Sequence, residues 1–303
     1  MKGRSNLAAS VAARLLNRAK DQGVDFQIVL TAYCFERFLF RLGAAGLRDQ
    51  FVLKGAMLLQ LWTDHPYRAT RDLDLLRFGD GSFESIRRDV NSILTAQVPP
   101  DGVSFDGTGM AIEAIRAEDE YAGARATLSA RCGTAKLSLQ IDMGVGDAVW
   151  PAPILRTYPG LLDLPSPEVL AYPLEAVVAE KFEAMVVLGE RNSRIKDFFD
   201  LHHLATRFEF DRPTLAEAVC RTFRRRRTPV PPTDPVGLTA DYWANPSRPA
   251  QVRAFSRRAG LVVPQDPGLE FTRILHAFLA PILDDIRSGK GPTGTWPPGG
   301  PWR

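Results

Sequence analysis

The chain has 303 residues, of which 45% are hydrophobic and 24% charged, and carries a formal net charge of +3. Those proportions belong to a folded globular protein and exclude wholesale disorder, and the length suffices for two domains. Cys34, Cys132 and Cys220 lie far apart with no CxxC pair, which argues against a disulfide framework and a structural zinc site.

Residues 6–20 are predicted as a helix, with Asn6 as its cap and Leu7, Val11, Leu15 and Leu16 as its apolar stripe. Gly23 ends it. A second helix follows Asp25, carrying Phe26, Val29, Leu30, Tyr33, Phe38 and Leu42 at helical spacing, and residues 43–46 stop it. Residues 50–54 form a short strand that Gly55 breaks. Residues 57–62 are predicted as a helix, 65–68 as a loop, 72–76 as a strand and 83–94 as a helix. Residues 103–109 and 110–116 are weaker extended segments, and 128–132 and 136–143 are paired strands around Gly133 and Thr134.

Residues 151–167 are proline-rich and are expected to be a connector. A largely helical half follows. Residues 174–188 are predicted as a helix begun by Pro173, whose missing N–H costs nothing there, and 195–207 as another. Residues 208–249, with the consecutive arginines Arg224, Arg225, Arg226 and Arg227, are partly loop, and 269–286 are a final amphipathic helix. The tail from 288 to 303, rich in Gly and Pro with two Trp, is expected to be disordered. No run approaches the roughly 18 apolar residues of a membrane span. The stretch after Gly3 alternates apolar and polar residues instead of forming a signal-peptide core. The expected location is the cytoplasm, with no membrane partner.

Five segments carry chemistry. At Lys54-Gly55-Ala56 a glycine sits between strand and helix, where it either lets backbone approach an anionic ligand or merely makes the turn. In Arg71-Asp72-Leu73-Asp74-Leu75 the strand period of two puts both aspartates on one face and both leucines in the core. Two carboxylates side by side repel unless a cation lies between them, and Mg²⁺ prefers such oxygen ligands. Solvated surface acids are the competing reading. Residues 136–143 alternate cleanly, with Leu137, Leu139, Ile141 and Met143 on one side and Lys136, Ser138, Gln140 and Asp142 on the other. If this strand neighbours the first, Asp142 joins the acids in a three-carboxylate metal site; otherwise it is a surface acid.

Lys181 falls within the apolar stripe of its helix, beside Glu180, and either snorkels to solvent or aims its charge into a site. Asp197 and Asp200, three apart on the next helix, are neighbours. Arg191, Arg194 and Lys196 precede or flank them, offering phosphate-facing cations together with acids to orient them. A solvated helix start is the alternative. His65, His202, His203 and His276 have no metal-ligand spacing.

Taken in order, these motifs resemble the AbiEii/AbiGii toxin-type nucleotidyltransferase family. The similarity lies in Phe35-Glu36-Arg37-Phe38, the Phe51–Leu59 segment with Lys54-Gly55-Ala56, Arg68 through Asp74, Ile141-Asp142, Glu180-Lys181, and Arg194 through Leu201. It spans roughly residues 6 to 287 and draws its specificity from motif order. The resemblance implies an α+β fold, with a DNA-polymerase-β-like mixed sheet core and flanking helices followed by a mainly helical domain. On that basis residues 1–165 form the core, 166–287 a helical domain completing the active site, and 288–303 a tail.

The resemblance also implies a toxin paired with a transcription-factor-like antitoxin. Its reaction is nucleotide transfer from an NTP to an RNA acceptor, the tRNA 3′ end, with Mg²⁺ or Mn²⁺. Asp72, Asp74 and Asp142 would be metal ligands, and these three with Lys181 and Asp197 would be catalytic. Lys54, Gly55, Ala56, Arg68, Arg71, Lys181, Arg194, Lys196 and Asp200 would bind nucleotide. Ala56 stands where family members carry Gly or Ser, so it offers phosphate no side-chain hydrogen bond. Two rivals remain: a protein-directed (AMPylating) transferase, and a nucleic-acid-binding regulator using the Arg224-to-Arg227 run, which otherwise reads as a solvated loop.

Overall fold

The computed structural model describes residues 2–62, 70–115, 123–147 and 149–303, with side chains from residue 6 onward. It divides into two compact units: residues 1–146 with 154–171, and residues 147–153 with 172–303.

The first unit opens with helices α1 (Lys2–Gln22) and α2 (Phe26–Ala44). Helix α1 begins before Asn6, so that residue lies inside the helix and does not cap it. Asp25 does cap α2, its side chain accepting from the Gln27 N–H. The chain continues through β1 (Phe51–Lys54), α3 (Gly55–Leu58), β2 (Asp72–Arg77), α4 (Phe83–Thr95), β3 (Val103–Ile115), β4 (Gly123–Cys132), β5 (Ala135–Val145), β6 (Ile154–Thr157) and β7 (Glu168–Ala171). The segment expected as residues 57–62 is one α-turn, α3, followed by a 3₁₀ turn at Leu59–Leu61. The two weak extended segments are one strand, β3, whose pairing with β4 shifts register between Asp106 and Ala111. The proline-rich connector contains the strand β6, and β7 follows it. Their pairing is antiparallel, and four-residue strands carry too few residues for the period of two to stand out.

The seven strands lie in the order β3-β4-β5-β2-β1-β7-β6. Strand β2 is central, parallel to β5 and antiparallel to β1. Along β4, β5 and the start of β2 every second residue is buried: Leu73 and Leu75, Ala124 through Ala130, and Leu137 through Met143; β2 ends with Leu76 and Arg77 buried as well. Helices α1, α2 and α4 contact strands of this sheet. The apolar side of α2 contributes Val29, Leu30, Phe35, Phe38 and Leu42 to the core. Burial of one face leaves the alternate, polar residues of β2, β4 and β5 on the other.

The second unit is mainly helical: α5 (Leu174–Leu188), α6 (Ile195–Arg207), α7 (Arg212–Arg225), α8 (Ala240–Ala244), α9 (Arg248–Ala259) and α10 (Pro267–Ser288). Helix α7 occupies part of what composition marks as loop; Asp211 caps it through Thr214 N–H, and a proline opens it. Strands β8 (Phe210–Asp211) and β9 (Thr295–Trp296) pair antiparallel. The tail therefore departs from the expected disorder. Trp296 is 1% exposed and donates its Nε1–H to the Ala205 carbonyl at 2.7 Å. Trp302 donates to the Phe278 carbonyl at 3.0 Å and stacks on the Phe278 ring. One buried and one half-buried indole supply apolar contact enough to order a Gly/Pro segment that average composition marks as disordered.

Candidate active site

Within the first unit, register decides which acids meet. Strand β5 lies beside β2, and the parallel pairing puts Asp74 opposite Asp142 and Asp72 opposite Gln140. Opposed residues point to the same face, so Asp142 joins the acids, as the alternation requires. One carboxylate oxygen from each of Asp72, Asp74 and Asp142 lies within 4.8 Å of the others. All three residues are half-buried. The same cross-strand row continues through Arg125 and Glu113 on one side and Lys54 on the other.

Gly55 is shaped by this acid site. Its φ is +70°, and a Cβ placed on it would sit 1.9 Å from Asp74 Oδ2. Any side chain there would strike the carboxylate, so glycine is required by Asp74 as well as by the turn. Helix α3 is a single turn, too short for the aligned dipoles that draw anions to longer helices. Thr70 donates its hydroxyl to Asp72 Oδ1 at 2.5 Å. Arg71 is exposed and Ala56 is buried; Arg68 lies outside the described residues.

Arg125 escapes a reading of residues 128–132 as the strand. Extended to Gly123, β4 alternates Arg125, Thr127, Ser129 and Arg131 against Ala124, Ala126, Leu128 and Ala130. That alternation is the signal that could have found it. Arg125 donates Nε to Asp142 Oδ1 and Nη2 to Oδ2, both at 2.9 Å. In the amide orientation that satisfies its neighbours, Gln140 accepts from the same two nitrogens at 3.2 and 3.1 Å. Donating to Asp142, against some loss of hydration, raises the guanidinium above its ordinary value, with added pull from Glu113 and Asp72.

Three carboxylates at this spacing supply hard oxygen donors in a number and charge that suit Mg²⁺ or Mn²⁺. Asp74 and Asp142 are directly opposed, and a divalent ion between them would offset their mutual repulsion. The residues fit the ion.

The second unit has its own ionic cluster. Lys181 on α5 donates to Asp197 Oδ1 and Asp200 Oδ2, each at 2.8 Å, and Arg194 Nε lies 2.7 Å from Asp197 Oδ2. Both aspartates are 1% exposed, so they are not first-turn surface acids. Burial pulls the Lys181 ammonium down, but the two carboxylates outweigh it and hold it above its usual value. Lys181 therefore neither snorkels to solvent nor presents a bare charge. Lys196 is exposed.

The arginine run is also divided. Arg224 and Arg225 end α7, while Arg226 lies 2.9 Å from Glu183, 3.3 Å from Asp147 and 3.4 Å from Glu180. Loss of hydration on burial acts against its charge, but these acids prevail and raise it. Arg226 is an internal hub, so the run is not a solvated loop throughout. This removes one of the four cations from the nucleic-acid-regulator reading.

A mixed sheet with paired acids on its central strand and a helical second unit is an arrangement compatible with a nucleotidyltransferase. The sequence agrees: the chain belongs to the nucleotidyl transferase AbiEii toxin family of type IV toxin–antitoxin systems, which it matches over residues 37–276. Membership brings a nucleotide substrate and a cognate antitoxin. No curated protein matches the chain. Among solved structures it is similar to JHP933 from Helicobacter pylori, with 16% identity and a TM-score of 0.46 over 84% of this chain and 95% of that one. It is also similar to a proposed nucleotidyltransferase from H. pylori, with 14% identity and a TM-score of 0.47 over 88% and 99%. Among the described residues, no helix is long and apolar enough to cross a membrane.

Proposed function

We propose that this toxin is a Mg²⁺- or Mn²⁺-dependent enzyme that transfers a nucleotide from an NTP to the 3′ end of tRNA in the cytoplasm, and so blocks translation. Its antitoxin is of the transcription-factor type. The observation that carries the reading is the register that sets Asp142 opposite Asp74 beside Asp72. On this reading residues 1–165 are the catalytic core and 166–287 the helical domain that completes the active site.

In the reaction the acceptor hydroxyl oxygen forms a bond to the α-phosphorus of the NTP. The α–β phosphoanhydride bond breaks, and pyrophosphate leaves with the bonding electrons. Asp72 and Asp74 would hold the divalent ion, which would supply neutralisation of the phosphate charge. Asp142 completes the ligand set and takes the hydroxyl proton. Lys54, Gly55 and Ala56 border the triphosphate, with Arg68 and Arg71 as further nucleotide contacts. Lys181 is the phosphate contact of the helical motif, held by Asp197 and Asp200, and Arg194 and Lys196 add positive charge. Positioning supplies most of the rate.

The test is incubation with each labelled NTP, total tRNA and a separate protein pool, with and without Mg²⁺. Label is expected in tRNA, only with metal, and Asp72→Ala and Asp74→Ala should each lose at least about a thousandfold, since a metal supplies several kcal/mol to such transition states. Label entering protein alone would establish the AMPylating reading instead. Unchanged tRNA labelling by both variants would refute the role of the acids.

A further inference from the structure

The acid site is answered from inside the chain by one cation in particular. Asp142 gives both carboxylate oxygens to Arg125, at 2.9 Å each, in a side-on, two-bond contact between neighbouring strands in direct register. Such a contact fixes the carboxylate plane as well as offsetting its charge. Gln140, opposite Asp72 on the same face, accepts from the same Nε and Nη2 and so shares the guanidinium edge with Asp142. Arg125 keeps 34% of its side-chain surface exposed while Asp142 keeps 16%, so the pair lies where a bound ion and solvent both reach. Arg125 thus offsets the charge of one of the three acids at the site.

We propose that Arg125 is the positioning and charge-balancing residue of the cation site: it holds Asp142 in plane and limits how tightly the nucleotide-free acids bind a divalent ion. This rests on the reading of Asp72, Asp74 and Asp142 as that site. The ion and the guanidinium compete for the same carboxylate. Without Arg125 the acids bind the ion more tightly but Asp142 is no longer oriented toward the acceptor, so binding improves while turnover falls. A cross-strand ion pair that merely stabilised the sheet would show neither effect; its loss would lower thermal stability and leave ion affinity alone.

The experiment is a Mn²⁺ titration of the full-length, nucleotide-free enzyme followed by electron paramagnetic resonance, with turnover measured in parallel on tRNA and NTP. For Arg125→Met, Mn²⁺ binding is expected to tighten by about tenfold, the scale of one unit charge near a divalent ion in a wet site. Its turnover at saturating Mn²⁺ should fall by about tenfold or more. Arg125→Lys keeps the charge and loses the two-bond geometry, so its Mn²⁺ affinity stays close to wild type while turnover is only partly restored. If Arg125→Met does not fold, Arg125→Gln, uncharged but able to donate to Asp142, carries the same expectation for Mn²⁺. Mn²⁺ affinity that is unchanged or weaker in the uncharged variant, or turnover equal to wild type, overturns the proposal. Failure of the underlying reading looks different: wild type itself would bind no Mn²⁺, or would bind it equally well as Asp74→Asn.

Discussion

The acids of the sheet and the acids of the helices are one residue type in opposite electrostatic settings. In the first unit, Asp72, Asp74 and Asp142 bring one carboxylate oxygen each within 4.8 Å of the others, and Arg125 pairs with Asp142. Asp74 and Asp142 are directly opposed, a like-charge pairing that costs sheet stability. In the second unit, Asp197 and Asp200 meet Lys181 and Arg194, two against two. On the proposed reading the converging sheet acids receive an ion, whereas the helical acids hold a lysine of the chain itself.

The largest expected effect on stability comes from breaking the balanced cluster. Lys181→Met removes the cation shared by two carboxylates that are each 1% exposed. Stranding buried charge in this way costs roughly 3–5 kcal/mol, read as a lower urea midpoint with no change in the slope of the transition. A variant as stable as wild type would mean that Asp197 and Asp200 do not depend on Lys181, and the contrast between the two regions would collapse.

The proposed ion seat is tested by adding the ion. Mg²⁺ at about 100 times its Kd should stabilise wild type by about 2.7 kcal/mol, because it binds only the folded site. The rise in thermal midpoint should vanish in Asp74→Asn and survive in Lys181→Met when each is compared with its own metal-free form. A Mg²⁺-dependent rise retained by Asp74→Asn would place the ion elsewhere in the molecule.

Much of this contrast is legible in the sequence, and what is not has a physical reason. Alternation put Asp72 and Asp74 on one face and Asp142 on the polar side of its own strand, and spacing made Asp197 and Asp200 neighbours. Which strands adjoin is a long-range fact, and only the observed pairing of β2 with β5 joins Asp142 to the pair. Arg125 was hidden because β4 begins at Gly123 with the small residues Ala124 and Ala126 as its buried positions, which give a weak apolar signal. Lys181 stood out as a breaker of an apolar stripe, but its partners lie 16 and 19 positions away, beyond any local pattern. The tail was misjudged for the opposite reason: Gly and Pro dominate its composition, while its order comes from Trp296 and Trp302 finding α6 and α10.

The smallest effect sharpens the comparison through a bystander. His203 lies one turn beyond Asp200 on α6, and burial lowers its pKa from 6.5 to about 4, even though the Asp200 charge acts to raise it. Below pH 6.5 the unfolded chain takes up a proton at this position that the folded chain refuses until about pH 4. A folded-state pKa below the unfolded one means that stability from this group is present above pH 6.5 and is lost as the pH falls toward 4. The loss is at most about 1.4 kcal/mol per pH unit. Buried acids such as Glu36, which burial raises, contribute with the opposite sign, so the measurement is the difference between wild type and His203→Gln in urea midpoints at pH 7 and pH 5. Wild type should lose more on acidification. In a Lys181→Met background the charge of Asp200 is no longer spent on the ammonium, so it draws the His203 proton on at higher pH and the difference between the two His203 forms shrinks. Equal differences in both backgrounds would show that Lys181 does not absorb the Asp200 charge.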